Sequence, residues 1–324
     1  MHKYIIKRIF YSIIIFFFVM LIIYAIMRCL PASYVETIAR SKSMQPNSKS
    51  FEEWMEQLSA TYNMDKGILA GYFIWLGQFF SGNFGDSWFY TVPVIEKFHD
   101  TIWLSFVMSL IAMFFELIIA IPLGIIAAVK HGSLIDNAAM ILALLGLSIP
   151  DFWLGLMLII YFSNKWGLLP SGGDEAGIKS LILPAITIGT GLMAALTRTT
   201  RSSMLDVIRK DYLRTARAKG ALERRVIFRH ALKNAMIPIL TILGSQLTSI
   251  LGGSVLTETV FTWPGVGRLV VDSINGRDVP TATGLLILKT IVMSFIVLIV
   301  DLLYAAVDPR VKARYSKGGK KKKA

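Results

Sequence analysis

The sequence predicts an all-α, polytopic integral membrane protein that crosses the bilayer six times. The chain has 324 residues, of which 54% are hydrophobic, and its mean hydropathy of +0.59 is too apolar for a soluble domain with a polar surface. Several apolar runs reach the roughly 20 residues that an α-helix needs to cross a bilayer. Inside lipid every backbone polar group must be hydrogen-bonded within the protein, so helices are the expected form of these runs.

The first predicted span runs from about Ile9 to Leu30 and stops at Pro31. A cleaved signal peptide is the alternative, since the preceding HKYIIKRIF is basic. However, the apolar run is longer than the hydrophobic region of a signal peptide, and no small-residue cleavage site ends it. We therefore expect an uncleaved transmembrane helix.

A polar stretch with more acidic than basic residues follows, up to Asp100. Ser50 and Glu53 fit a capping box at the start of a short amphipathic helix, whose apolar face would be formed by Phe51, Trp54, Met55 and Leu58. Residues 68–81 are apolar but too few to span a bilayer. We expect them to lie at the membrane interface or to pack on the helix bundle, with a re-entrant element as the alternative.

Five further spans are predicted after Asp100. The second span is expected to kink near Pro122–Gly124, and the third to be interrupted at Pro150, because proline lacks a backbone donor. The approximate ranges are Thr101–Val129, Leu134–Phe162, Leu181–Leu196, Ala235–Leu256 and Thr281–Val307.

Six spans place both termini on the same side of the membrane, and the distribution of Lys and Arg indicates which side. With both termini in the cytoplasm, about 23 of the 34 Lys and Arg residues fall in cytoplasmic segments, as the positive-inside rule requires. Three regions follow from this topology. They are residues 1–100, with the first span and an extracytoplasmic segment; residues 101–307, a transmembrane core with a cytoplasmic loop at 198–234; and residues 308–324, a basic cytoplasmic tail.

Composition argues against several function classes. The single cysteine, Cys29, allows no internal disulfide and no cysteine-rich metal site, and four scattered histidines provide no metal-ligand spacing. The sequence has no GxxxxGK[ST] phosphate-binding loop, so we expect no cofactor bound by this chain. The positive-inside bias explains the net charge of +13. The Lys-rich tail is expected to contact anionic membrane lipids rather than nucleic acid.

The most informative segment is DYLRTARAKGALERRVIFRHALKNAMIP, from Asp211 to Pro238. It has seven Lys or Arg residues and two acidic residues. A basic loop that binds lipid headgroups is one explanation. However, an apolar stripe continues through the segment, and Gly220 suits a helix C-cap with positive φ. We therefore predict two short helices that meet at Gly220 and form an elbow suited to a groove on a partner.

Within this segment, RTARAKG followed by FRHALKNAMIP resembles the cytoplasmic loop of ATP-binding cassette importer permeases. Arg214, Thr215 and Ala216 occupy the places of its Glu-Ala-Ala motif, and Gly220 matches the motif's glycine. The sequence departs from the general motif in two ways: the Glu is missing, and Pro238 lies further from the glycine than usual. Both departures resemble the peptide and nickel branch of the family. Other segments resemble the same branch, namely GNFGDSWFYTVPV, LSIPDFWLGL, LPSGG, ETVFTWPGVGRLVVDSINGRDVP and DLLYAAVDPRVK.

The resemblance implies a type I importer permease fold, a multi-pass position in a bacterial or archaeal cytoplasmic membrane, and no ATPase site in the chain itself. The implied partners are two ATP-binding subunits, a second, similar permease subunit and an extracytoplasmic substrate-binding protein. The implied residues that couple transport to the ATP-binding subunit are Asp211, Tyr212, Leu213, Arg214, Thr215, Ala216, Arg217, Lys219 and Gly220. Of these, Tyr212, Leu213 and Ala216 would bury against the partner, while Arg214 and Arg217 would reach its acidic or carbonyl groups.

Polar residues inside the spans are candidates for the translocation path, because ionisable groups in a membrane are costly and default to a functional role. The candidates are Glu116, Asp151, Ser245, Gln246, Ser249 and Lys289. The acidic residues could bind a peptide's amino group. The alternatives are structural: Glu116 could pair with Lys289, Asp151 could cap the half-helix after Pro150, and the polar residues of the fifth span could serve helix packing. Asp301 is expected to be structural.

The predicted function is import of di- or oligopeptides along a path shared with the second permease subunit and powered by ATP hydrolysis in separate subunits. Nickel, metal chelates and glutathione are the alternative substrates within the family. A secondary transporter is disfavoured because the sequence has no internal repeat. A membrane-embedded enzyme is disfavoured because no nucleophile and base are suitably placed.

Overall fold

The fold is described from a computed structural model that covers residues 2–29, 34–44, 46, 48–61 and 65–307. Within these residues the named elements of secondary structure are all helical. The predicted tail at 308–324 and the expected end of the first span at Leu30 and Pro31 lie outside the described residues.

Fourteen α-helices and two π-helical turns are described. The helices are α1 (His2–Cys29), α2 (Tyr34–Ser43), α3 (Phe51–Thr61), α4 (Ile68–Phe80), α5 (Val94–Val129), α6 (Leu134–Ser148), α7 (Asp151–Leu158), α8 (Ile178–Ile208), α9 (Asp211–Ala218), α10 (Glu223–Arg225), α11 (Leu232–Gly253), α12 (Val255–Val260), α13 (Val266–Asn275) and α14 (Val279–Val307). The π-helical turns, Ile159–Lys165 and Val226–Ala231, continue α7 and join α10 to α11.

Five of the described helices are long and apolar enough to cross a membrane, and the bent pair formed by α6 and α7 would make a sixth span. These are the six spans expected from the sequence. The interruption at Pro150 is confirmed, and it bends the pair by 98°. The fourth span is much longer than predicted, since α8 extends from Ile178 to Ile208. The second span remains one continuous helix through Pro122.

One compact unit comprises residues 101–268 with 2–8 and 295–307. Helix α8 lies at its centre, packed by α6, α7 and α11. A cluster of fully buried side chains, including Leu196, Met204 and Ile239, joins the later part of α8 to α11. Burial of this apolar surface against neighbouring helices holds the unit together.

The second compact unit comprises residues 9–100 and 269–294. Tyr72, Leu76 and Phe79 of α4 pack on Met20 and Tyr24 of α1. Helix α4 is therefore a continuous helix that packs on a neighbour, which was the favoured expectation for residues 68–81.

The amphipathic helix predicted after Ser50 is present as α3, in the same unit. Its capping box is confirmed, because the Ser50 backbone N–H donates to Glu53 Oε2 at 2.9 Å and the Glu53 N–H donates to Ser50 Oγ at 3.2 Å. The apolar face packs on α2, with Leu58 buried beside Val35 and Ile38.

Candidate functional site: a coupling elbow and a polar cavity

The basic segment folds as the predicted elbow. Helix α9 ends at Ala218, and Gly220 follows with φ +77°. Two backbone hydrogen bonds close the end of the helix, from Gly220 to the Arg217 carbonyl (2.9 Å) and from Ala221 to the Ala216 carbonyl (3.2 Å). A left-handed residue after the last turn favours glycine, so the two helices meet where the sequence predicted.

Leu213 holds α9 on the bundle. It is 0% exposed and belongs to the buried cluster that includes Met204 of α8 and Val226 and Ala231 of the following π-helical turn. It is the one buried residue of α9. The expectation that Leu213 packs against a partner is therefore wrong, because its side chain is already fully enclosed within its own chain. Ala216 also packs against this cluster and is partly buried.

Arg217 closes the elbow from the solvent side. Its Nε donates to Glu223 Oε2 at 3.0 Å and its Nη2 donates to Glu223 Oε1 at 2.8 Å. This two-point contact ties the end of α9 to the start of α10 and occupies the guanidinium group that was expected to reach a partner. The coupling residues that remain exposed are Asp211, Tyr212, Arg214, Thr215, Lys219 and Gly220.

A second feature is a cavity of about 460 Å³ at the bend between α6 and α7. It brings together two of the candidate path residues, Asp151 at the start of α7 and Ser249 on α11. Helix α7 has no side-chain cap, so the capping role considered for Asp151 is not observed. The remaining lining residues are Leu147, Ile149, Pro150, Ile188, Gly191, Leu192, Ile250, Ser254 and Thr257.

The other path candidates do not line this cavity. Glu116 is 0% exposed, and neither of its carboxyl oxygens has a hydrogen-bond partner in the described part of the chain. Gln246 is also buried and donates from Nε2 to the Leu192 carbonyl at 2.9 Å, which links α11 to α8. Ser245 donates to a carbonyl of its own helix.

The structural role expected for Asp301 is confirmed. It forms an ion pair with Arg8 at 2.9 Å. The described residues include no group of three or more His, Cys, Asp or Glu side chains able to hold a metal ion.

The structural role of two buried carboxylates, Asp136 and Glu258, was not predicted from the sequence. Asp136 accepts from Arg201 Nε and Nη2 at 2.5 and 2.7 Å, which ties the start of α6 to α8. Glu258 accepts from the hydroxyls of Ser105 and Ser254, both at 2.8 Å, and from the Arg268 N–H at 3.0 Å. An acidic residue in the first turn of a predicted span was the available signal for Asp136. Nothing local indicates the distant partners of Glu258.

Residues 120–313 match the family described as "Binding-protein-dependent transport system inner membrane component". The chain belongs to this family. As an inner membrane component of a binding-protein-dependent transport system, it is a transport protein that passes several times through the cell membrane. This confirms the family resemblance first seen in the loop around Gly220.

Two curated relatives align over nearly the whole chain. The dipeptide transport system permease protein DppB of Escherichia coli (strain K12) is 35% identical over 342 aligned residues, which cover 96% of this chain and 99% of the relative. The oligopeptide transport system permease protein AppB of Bacillus subtilis (strain 168) is 38% identical over 322 residues, which cover 96% of this chain and 100% of the relative.

The fold is similar to that of a chain in the MetNI methionine ABC transporter, solved in inward-facing conformations. The TM-score is 0.56 at 19% sequence identity, and the match covers 65% of this chain and 96% of that chain. The importer permease fold expected from the sequence is thereby confirmed.

Proposed function

We propose that this permease subunit imports di- or oligopeptides, together with a second, similar permease subunit, and that two ATP-binding subunits drive it from the cytoplasmic side. An extracytoplasmic binding protein would deliver the peptide. The two curated relatives, named for dipeptide and oligopeptide transport, support the substrate class. The orientation with both termini in the cytoplasm is supported by the excess of Lys and Arg in the segments that it places there.

The observation that carries the mechanism is the form of α9. The helix is anchored on its inner side by Leu213 and presents Tyr212, Arg214 and Thr215 on its exposed side. A helix that is packed on the bundle on one side and exposed on the other can transmit a movement of a bound partner to the spans. A ligand-biased rigid-body change of this kind requires no chemistry in the permease chain.

The docking assignment is tested by changing only the exposed side. Substitutions at Ala216 and Arg217 would also disturb contacts within the chain, so they do not isolate the partner contact. We expect Tyr212→Ala and Arg214→Glu to weaken the binding of the ATP-binding subunits and to lower peptide-stimulated ATP hydrolysis. Arg224→Glu is the control, since it reverses another exposed positive charge, beyond Gly220. Normal assembly and normal stimulated hydrolysis in both α9 variants would refute the assignment.

The substrate class is tested in cells that lack the gene. We expect loss of uptake of labelled di- or oligopeptides, restored by the wild-type gene, with unchanged uptake of nickel and glutathione. Loss of nickel or glutathione uptake alone would assign the alternative substrate and reject the peptide proposal.

A further inference from the structure

We infer that the cavity at the bend between α6 and α7 is a transient site for the peptide's N-terminal ammonium group, and that Asp151 is the residue that binds it. This inference rests on the proposed function, since it assigns a role to one end of the proposed substrate.

The carboxylate of Asp151 has the properties of a ligand-binding group rather than of a structural one. Its side chain is exposed and lines the cavity. In the described part of the chain it has no hydrogen-bond or ion-pair partner. Two other acidic residues, Asp136 and Glu258, differ from it, since they are buried and accept several hydrogen bonds each. A charged group at membrane depth without a structural partner is a candidate for substrate contact.

The backbone of α8 leaves room for this carboxylate. A Cβ atom placed on Gly191 would lie 3.0 Å from Asp151 Oδ1 and 3.8 Å from its carboxyl carbon. A side chain at position 191 would therefore crowd the acid on the side that faces α8. Because Gly191 has no side chain, α7 and α8 can approach each other while the Asp151 carboxylate stays at the cavity wall.

The chemistry of the walls indicates which charge the cavity accepts. Asp151 is the one ionisable residue among the lining residues, and none of them is basic. Ser249, Ser254 and Thr257 add hydroxyl groups to the wall, and two of these already donate within the chain, Ser249 to the Ser245 carbonyl and Ser254 to Glu258. The rest of the wall is apolar. An acidic wall attracts an ammonium group and repels the carboxylate at the other end of a peptide.

The size of the cavity also fits a short peptide. Its volume of about 460 Å³ lies within the roughly 300–1,000 Å³ of typical small-molecule sites. One carboxylate gives a contact that any peptide can make through its amino terminus, whatever its side chains. A permease that receives many sequences from one binding protein requires contacts of this sequence-independent kind.

The experiment uses the complete importer in proteoliposomes, with its ATP-binding subunits, second permease subunit and binding protein. Uptake of labelled dialanine is measured at concentrations that saturate the binding protein. Loss of one charge-assisted hydrogen bond is expected to lower the rate about tenfold in Asp151→Asn. Gly191→Ala is expected to lower it in the same direction, because the added Cβ crowds the carboxylate. Asp174→Asn, which changes an exposed acid outside the cavity, is the control and should transport at the wild-type rate.

A second substrate separates binding from a structural role. Propanoyl-alanine has the same shape as dialanine but lacks the amino group, so the Asp151→Asn change should lower its uptake less than twofold. Equal uptake of dialanine by wild type and Asp151→Asn would overturn the inference while leaving the proposed function intact. Equal losses for both compounds would also overturn it. If the wild-type importer takes up neither dialanine nor longer peptides, the proposed function fails, and the inference fails with it.

Discussion

Replacement of Leu213 by alanine should detach α9 from the bundle without unfolding the protein. The side chain is 0% exposed, and its removal deletes buried apolar groups worth about 0.8 kcal/mol per methylene and leaves a cavity. Leu→Ala changes at such sites cost about 2–5 kcal/mol. Helix α9 has eight residues, too few to be stable alone in water. A loss of about 3 kcal/mol would lower the ratio of docked to detached α9 about a hundredfold.

Hydrogen exchange measures this ratio directly. In the purified importer we expect the amides of residues 211–218 to lose protection by up to about a hundredfold in Leu213→Ala, because the local opening free energy falls by the same amount. Amides of α8 away from the contact should keep their protection. Peptide uptake should fall in parallel, since a detached α9 cannot move the spans.

Leu222→Ala is the matched control. It makes the same chemical change nine positions later in the same elbow, but Leu222 is 78% exposed, so protection and uptake should stay near the wild-type values. Unchanged protection of residues 211–218 in Leu213→Ala would refute the anchoring role of Leu213. Equal losses of protection in Leu213→Ala and Leu222→Ala would show that burial of the side chain does not cause the loss.

Four further outcomes are expected. Gly220→Ala should strain the elbow by about 1–2 kcal/mol, because φ at this position is +77° and residues with a Cβ disfavour positive φ. Faster amide exchange around position 220 would show this strain. Arg217→Glu should loosen the same elbow by roughly 0.2–1 kcal/mol at low salt, a small effect because its ion pair with Glu223 is solvent-exposed. Adding Glu223→Arg should restore the exchange rates, because the ion pair forms again with its charges exchanged. Glu258→Gln should cost about 2 kcal/mol, because the amide nitrogen cannot accept the hydrogen bonds that one carboxylate oxygen now accepts. The unfolding temperature of the solubilised protein should fall. Hydrogen bonds from the Ser50 backbone N–H and hydroxyl lower the pKa of Glu53. This stabilisation of α3 is therefore present above the carboxyl's ordinary pKa and is lost as pH falls through the lowered value. Protection factors of the first-turn amides, which correct for the slower intrinsic exchange at low pH, should fall over the same range.

Local features were predictable because their partners lie close in sequence. The capping box at the start of α3 joins positions 50 and 53, and the end of α9 at Gly220 depends on one residue's backbone freedom. The break at Pro150 follows from a missing donor, although its 98° angle does not.

Features that depend on distant partners were not predictable. Arg201 meets Asp136 across 65 positions of sequence, and Ser105 meets Glu258 across 153. The apolar stripe through the basic segment indicated helices with one apolar face, and the family resemblance implied that Leu213 packs against a partner. The inward direction of that side chain is set by α8 and the following π-helical turn, which surround it.

The sequence by itself determined the six apolar spans, the helix that begins after Ser50, the elbow and the family, because lipid permits little besides helices and because the capping box and the turn at Gly220 are local properties. Tertiary structure alone decided which polar side chains meet the cavity. Glu116, Asp151 and Gln246 looked equivalent along the chain, yet packing encloses Glu116 and Gln246 and leaves Asp151 open. The reason is that the environment of a side chain is set by neighbouring helices, whose contacts depend on the positions of residues far away in the sequence.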